Sequence, residues 1–236
     1  MLATVNRDVA TLSSLFARAK QLRLVSQNPC KDVGKLNERR GRRQARPISY
    51  EEEDRLKQFS PPWLSMLITL LAETGMRVQK EALPLKWSDV TVEADPAYIH
   101  VKHSKSPAGI RTVWLTSHCK VALLHWRERV GPDVSPFVFP SPRISDTHMT
   151  DYKKAWQKAV QSAELIDCRI YDLRATFASR ANACRASNLT VAYLLGHSST
   201  QMLPTYVKPL DENTRAIIQA MDATRASHVA GTHTVQ

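Results

Sequence analysis

The sequence predicts a mostly helical α+β protein with one small antiparallel hairpin, and three observations carry that expectation. Apolar residues recur at helical spacing along much of the chain, with helix-starting and helix-stopping residues at the ends of the runs. One pair of strand-like stretches, YIHVKH at 98–103 and RTVWLT at 111–116, flanks the turn material SPAG. An arginine-rich stretch without apolar periodicity, LNERRGRRQAR, separates residues 1–35 from the remainder.

Taken in order, residues 4–24 place Val5, Val9, Leu12, Phe16 and Ala19 on one helical face, with Leu15 and Leu22 widening it. Asn28-Pro29 is expected to end that segment, because the residue before a proline is pushed out of the helical region. A lone helix with so wide a stripe has to pack on something, so residues 1–35 read as part of a helical domain. In the stretch 36–46, Arg39, Arg40, Arg42, Arg43 and Arg46 are opposed only by Glu38. It reads as a linker, either a solvated tether or a basic strap laid along a phosphate backbone.

From Ile48 the chain changes character. Ser49 precedes Glu51, Glu52 and Glu53, a helix N-terminus in which a hydroxyl caps and acidic side chains suit the dipole. Pro61-Pro62 opens an apolar helix over Trp63 to Glu73, and Gly75 closes it. Further helices are expected over 117–130, 150–163, 172–184 and 188–195, and Asp211 caps a last one near 212–224. The end, SHVAGTHTVQ, is expected to be disordered. The predicted division is therefore 1–35 helical, 36–46 linker, 47–225 main domain and 226–236 tail.

Bulk properties narrow the function. The 236 residues suffice for one substantial core, or a medium domain with a small one. Hydrophobic residues make up 43%, which is ordinary, but the net charge of +11 is not. Such a balance favours a polyanionic partner, because neutralised phosphates release counterions; a merely basic soluble enzyme is the alternative. Cys30, Cys119, Cys168 and Cys184 form no CxxC pair, which argues for reduced thiols in a cytoplasm. No apolar run approaches the ~20 residues that span a bilayer, and MLATVNRDVATL lacks the layout of a secretory signal. His100 and His103 face opposite sides of a strand, without a third ligand nearby. With no Walker loop, GxGxxG or acidic cluster either, neither metal nor cofactor is expected.

The candidate chemistry lies in four stretches. Arg174 stands in YDLRATFAS, His197 in LLGHSS, and Tyr206 in LPTYVKP, with helix-breaking Gly196 and Pro204 around the last two. A guanidinium fork, an imidazole and a phenol are the groups that attack a phosphodiester without a metal. Arg77 follows Gly75-Met76 at a helix end, either as a dipole partner or directed into a cleft. Arg174 has its own structural alternative, a buried arginine tied to Asp172 or Glu164. Lys105, on the tip side of the hairpin, is placed to donate a proton, while Lys102 falls on the opposite face by strand parity.

In this order the stretches resemble the motifs of the phage integrase family of tyrosine recombinases. AETGMR (72–77) through EALPLKWSDV (81–90) is similar to the first arginine motif, YDLRATFAS to the second, and LLGHSS with TYVKP to the histidine and nucleophile boxes. The match runs over residues 45–210. The resemblance implies a tyrosine-recombinase catalytic domain, preceded by a partial core-binding domain and acting on duplex DNA as a site-specific recombinase or integrase. It makes Tyr206 the nucleophile of a 3′-phosphotyrosyl intermediate and Arg77, Arg174 and His197 the groups that stabilise charge. Lys105 becomes the acid that protonates the 5′ oxygen. It also implies homo-tetramers on two sites that exchange a C-terminal segment, here Asp211 to Thr224.

Two departures stand out. Tyr171 occupies the position where the family most often carries a histidine, and a phenol of pKa ~10 is expected to donate a hydrogen bond there rather than accept a proton. Four steps separate Arg77 from Glu81, where the family usually has three. Within a helix the extra residue would rotate all later side chains by ~100°, so it is expected in a turn that leaves Arg77 in place. The short N-terminal part reads as a truncation, and two alternatives stay open. One is a DNA-binding remnant without productive recombination; the other is a relaxing activity like that of type IB topoisomerases.

Overall fold

The structure, a computed structural model, describes residues 2–37, 43–102, 109–131, 134–196 and 211–232. The chain divides into two compact units, 1–44 and 45–236.

The first unit is one helix, α1 (Leu2–Gln21), with a non-helical return. The helix stops before Asn28-Pro29, because Arg23 adopts φ 59° and the Leu24 N–H bonds back to the Ala19 carbonyl at 2.9 Å. Asn28 instead folds the chain back, its amide donating to the Ser13 carbonyl at 2.9 Å. Asn6 closes the far end through two bonds to the Leu36 backbone. No α1 side chain is buried; Val9, Phe16 and Ala19 are partly covered, while Leu12 and Leu15 stay exposed.

The second unit is built around α3 (Pro62–Thr74), a helix apolar on nearly every side and therefore surrounded. It packs on α2 (Tyr50–Gln58), α4 (Ser117–Val130) and α6 (Asp172–Ala183). The Ser49 signal forms a full capping box: its hydroxyl accepts from Glu52 N, and the Glu52 carboxylate accepts from Ser49 N. Gly75 ends α3 at φ 63°, and a Cβ there would sit 2.6 Å from both Phe177 and Leu195. Glycine is thus demanded twice at this position, by the backbone and by the packing.

The expected hairpin is present as β2 (Tyr98–Val101) and β3 (Arg111–Trp114), preceded by a two-residue edge strand, β1 (Val90–Thr91), too short to show in the pattern. Ile99 pairs with Val113 and Val101 with Arg111. These side chains point into the protein, so Arg111 goes to the core side with Val113.

α5 (Lys153–Ser162) starts three residues later than expected, whereas α7 (Asn188–Leu195) matches its expected bounds, capped by Ser187 on Thr190 N at 3.1 Å. The last helix, α8 (Asp211–Thr232), runs well past the expected end. Much of the segment read as a disordered tail is helical because α8 is anchored on α2: Arg225 donates to Asp54 at 2.7 Å, and His228 stacks on Tyr50 at 5.2 Å. A satellite core of Trp114, Phe177, Val191, Leu194, Leu195, Ile218 and Met221 joins β3, α6, α7 and α8. Among the described residues no helix is long and apolar enough to cross a membrane.

Candidate active site

Three arginines from three different elements meet at the C-terminal end of α7. A helix end leaves its last carbonyls without intrahelical partners, and here Leu194, Leu195 and Gly196 each receive a different guanidinium. Arg111 Nε donates to Leu194 O at 2.8 Å, Arg174 Nη2 to Leu195 O at 2.6 Å, and Arg77 Nη2 to Gly196 O at 2.9 Å. Arg174 also donates to Gly75 O, which ties the turn after α3 to the same point. Gly196 itself has φ 63°, and a Cβ on it would meet Arg111 Nη1 at 2.7 Å.

Glu81 lies beneath this cluster, 5% exposed. Its carboxylate accepts from the Arg77 guanidinium, from Arg77 N at 2.9 Å, and from Arg111 Nη2 at 3.2 Å. Burial alone would push this carboxyl up, but the Arg111 charge and the bonds from Arg111 and Arg77 hold it below the ordinary carboxylate value. The extra residue between Arg77 and Glu81 is taken up by a π-helical turn, Val78–Ala82, in which Leu83 N reaches back to Val78 O at 2.9 Å. A π turn absorbs one residue without shifting the segments on either side. Arg77 keeps its place, and Glu81 can still cap the Arg77 N–H.

The hydrogen bonds of the three guanidiniums thus reach one carboxylate and otherwise carbonyls. The helix end adds only about half a negative charge. Arg174 shows the imbalance, for burial and then the neighbouring Arg77 charge lower its pKa to about 10, against the opposing pull of Glu81.

A family model described as the phage integrase family matches residues 46–213. The chain belongs to this family. Among integrase-family relatives, the putative prophage phiRv2 integrase of Mycobacterium tuberculosis (strain H37Rv) is 25% identical over 190 residues, covering 75% of this chain and 50% of the relative. The shufflon-specific DNA recombinase of Escherichia coli is 29% identical over 208 residues, covering 86% and 50%. The chain therefore spans about half the length of these curated relatives. Among solved structures, the fold matches lambda integrase (75–356) as a dimer bound to a COC′ core site, with TM-score 0.66 and 20% identity over 88% of this chain and 77% of that one. It also matches the Tn1549 transposon integrase bound to circular intermediate DNA, with TM-score 0.67 and 19% identity over 92% and 79%.

Within this integrase fold, the structure brings Arg77 and Arg174 together, as their motifs led one to expect. Arg174 is held by the carbonyls of Gly75 and Leu195. Tyr171 immediately precedes α6, the residue 54% exposed, and its carbonyl accepts from Arg174 N at 3.2 Å. Lys105, His197 and Tyr206 lie outside the described residues, as do Arg39, Arg40 and Arg42. Arg46 belongs to the second unit, its guanidinium paired with Glu52 and its N–H bonded to Asp172 at 3.2 Å. Arg43 is described just before it. Lys102, the competitor of Lys105, is paired with Asp89 at 2.5 Å.

The sequence reading missed Arg111 altogether. The signal was present: a charged residue at the inward parity of a strand, two before Val113, has to find a buried partner.

Proposed function

We propose that this chain carries the catalytic portion of a site-specific DNA recombinase that cuts and rejoins duplex DNA through a tyrosine. The observation that supports this reading most is the meeting of Arg77 and Arg174 on the carbonyls of Leu195 and Gly196, directly before His197 in the chain. Both forks keep N–H donors beyond those used on the described residues, so a scissile phosphate can be gripped by the two together.

In the proposed reaction the Tyr206 phenol loses its proton to solvent as its oxygen attacks phosphorus, the phosphotyrosyl P–O bond forms at the 3′ side, and the bond to the 5′ oxygen breaks. Lys105 gives its proton to the departing 5′ oxygen, while Arg77, Arg174 and His197 stabilise the charge that develops. A 5′-hydroxyl from a partner strand then attacks phosphorus, reforms the diester and releases the phenol. Tyr171 donates a hydrogen bond near Arg174. Arg39, Arg40, Arg42 and Arg43 serve as the basic strap on the DNA backbone, with Arg46 at its inner end braced by Glu52. The active assembly is a homo-tetramer on two DNA sites, working in the cytoplasm and exchanging the C-terminal segment that contains α8.

The test uses a randomised pool of nicked duplexes, from which any strand joined covalently to the protein is recovered and sequenced. A DNA-protein adduct that disappears in Tyr206→Phe is the expected result. Retention of DNA without any adduct sinks the proposal in favour of a binding remnant. Relaxation of a supercoiled plasmid by the protein alone, without a partner site, favours a topoisomerase.

A further inference from the structure

We propose that Arg111 is a positioning residue of the strand-cutting site, acting through the end of α7 and through Glu81 on Arg77. This rests on the reading that Arg77 and Arg174 bind a phosphate. The inference comes from where β3 places one guanidinium. Strand alternation sends Arg111 inward, its side chain 1% exposed, so it has no route to DNA itself. Every donor it uses goes to the site's frame: Nε to Leu194 O at 2.8 Å, Nη1 to Gly109 O at 3.1 Å, and Nη1 and Nη2 to the two Glu81 oxygens at 3.4 and 3.2 Å.

Two features separate this from an ordinary buried ion pair, which by itself is weak evidence even for stability. The first is that Glu81 is shared. The carboxylate that Arg111 holds is the one that fixes the Arg77 side chain and caps the Arg77 N–H. A change in Arg111 is therefore passed to Arg77 through a single rigid group. The second is the adjacency of the carbonyls. Arg111 takes the first of three successive acceptors, and the other two are held by the proposed catalytic arginines. Arg111 thereby fixes the point from which the chain leaves toward His197. Gly196 packs directly on its guanidinium, in a space where a Cβ does not fit.

Lysine cannot replace this arrangement. Its ammonium is a point charge without the planar fork that serves Leu194 and Glu81 at once. In Arg111→Lys, the single-turnover rate of adduct formation on the randomised nicked pool falls about 10- to 100-fold, the scale of a small misplacement of reacting groups. Affinity for the same pool stays unchanged. The readout that a general structural role would not move is a double-mutant cycle with Arg77→Lys. If Arg111 acts through Glu81 on Arg77, the Arg111→Lys penalty shrinks to within about threefold once Arg77 is already altered. Equal penalties in both backgrounds, or a wild-type rate in Arg111→Lys, overturn the inference while leaving the strand-cutting reading intact. Absence of adduct from the wild-type chain overturns that reading, and this inference with it. Should Arg111→Lys fail to fold, Arg111→Gln, which keeps a donor for Leu194 without the charge, takes its place in the same cycle and under the same criteria.

Discussion

Two clusters of half-buried and buried arginines lie in the second unit, and they are built in opposite ways. At the end of α7, Arg77 and Arg111 share one carboxylate, Glu81, while Arg174 binds only carbonyls among the described residues. Between α2, α6 and α8, Lys57, Arg180 and Arg225 meet three carboxylates. Glu53 lies 3.1 Å from Lys57, 2.8 Å from Arg180 and 3.4 Å from Arg225, and Asp54 lies 2.7 Å from Arg225. Glu73 completes the set, 4.0 Å from Arg180 and bonded by Thr116 at 3.0 Å. The Tyr50 ring is held between Arg180 and Arg225, at 3.9 and 4.9 Å. Glu53, Glu73 and His118 bring ligand atoms within 4.8 Å of one another, but cations already engage the carboxylates, so this is an ion-pair hub. Among the described residues the hub is charge-balanced and fastens helices, whereas the clamp sets three guanidiniums against one carboxylate.

The difference is broken most forcefully at Glu53. It is fully buried at the centre of the hub, so Glu53→Gln leaves two guanidiniums and an ammonium facing a neutral amide. Removing one partner of such a buried set costs about 3–5 kcal/mol, and urea unfolding of the variant should show a loss of that size. A loss below about 1 kcal/mol, the scale of an exposed pair, would mean that the hub does not fasten α8 to α2.

The clamp should answer the other way. Arg174→Ala is expected to lower the rate of adduct formation by about 10²–10³, the usual cost of losing one donor to a transition-state oxyanion. Inorganic phosphate is expected to raise the melting temperature of the wild type, because ligand binding stabilises only the state that binds it, and the same variant should abolish that rise. If Arg174→Ala instead destabilises the protein as much as Glu53→Gln and phosphate still raises its melting temperature, the two clusters are of one kind.

How much of this contrast the chain reveals by inspection differs between the clusters. Arg77 and Arg174 are legible because each sits in a local pattern, a glycine-ended helix or a helix start, and both patterns survive folding. The bounds of α7 are legible for the same reason, being fixed by Ser187 and Gly196. For Arg111 only the inward direction is legible, from strand parity; its partner is not, since β3 brings it to a helix that begins more than seventy residues later. The π turn at 78–82 shows as an irregular spacing but not as a shape. The hub is the least legible, since Glu53 reads as one of three helix-starting acids and only tertiary packing separates it from Glu51 and Glu52. That packing also carries α8 beyond Thr224, where the sequence offers only SHVAGT.

The smallest expected effect is one of pH, and it separates the clusters by where they titrate. His118 is half-buried in the hub, facing Glu53, Asp54 and Lys57 from α2, Glu73 from α3 and Arg225 from α8. Burial first, then the Arg225 and Lys57 charges, lower its pKa below 6.5, with Glu53 and Asp54 opposing. The unfolded chain then binds the proton more readily than the folded one. His118 therefore contributes stability that is present above pH 6.5 and lost as pH falls through the depressed folded value. Glu73 works against it: burial and the Glu53 charge raise its pKa above 4.5, so its contribution is present at low pH and lost as pH rises through the folded value. Glu53 and Glu81 are both held below 4.5, so each loses its contribution only at lower pH. In the window just below pH 6.5 Glu81 is thus silent, and the difference between wild type and His118→Asn isolates one imidazole of the hub. Melting temperatures should converge for the two proteins as pH falls from about 7.5 to about 5, because only the wild type has a proton to take up there. Parallel curves across that range would show that His118 is not held neutral by the hub.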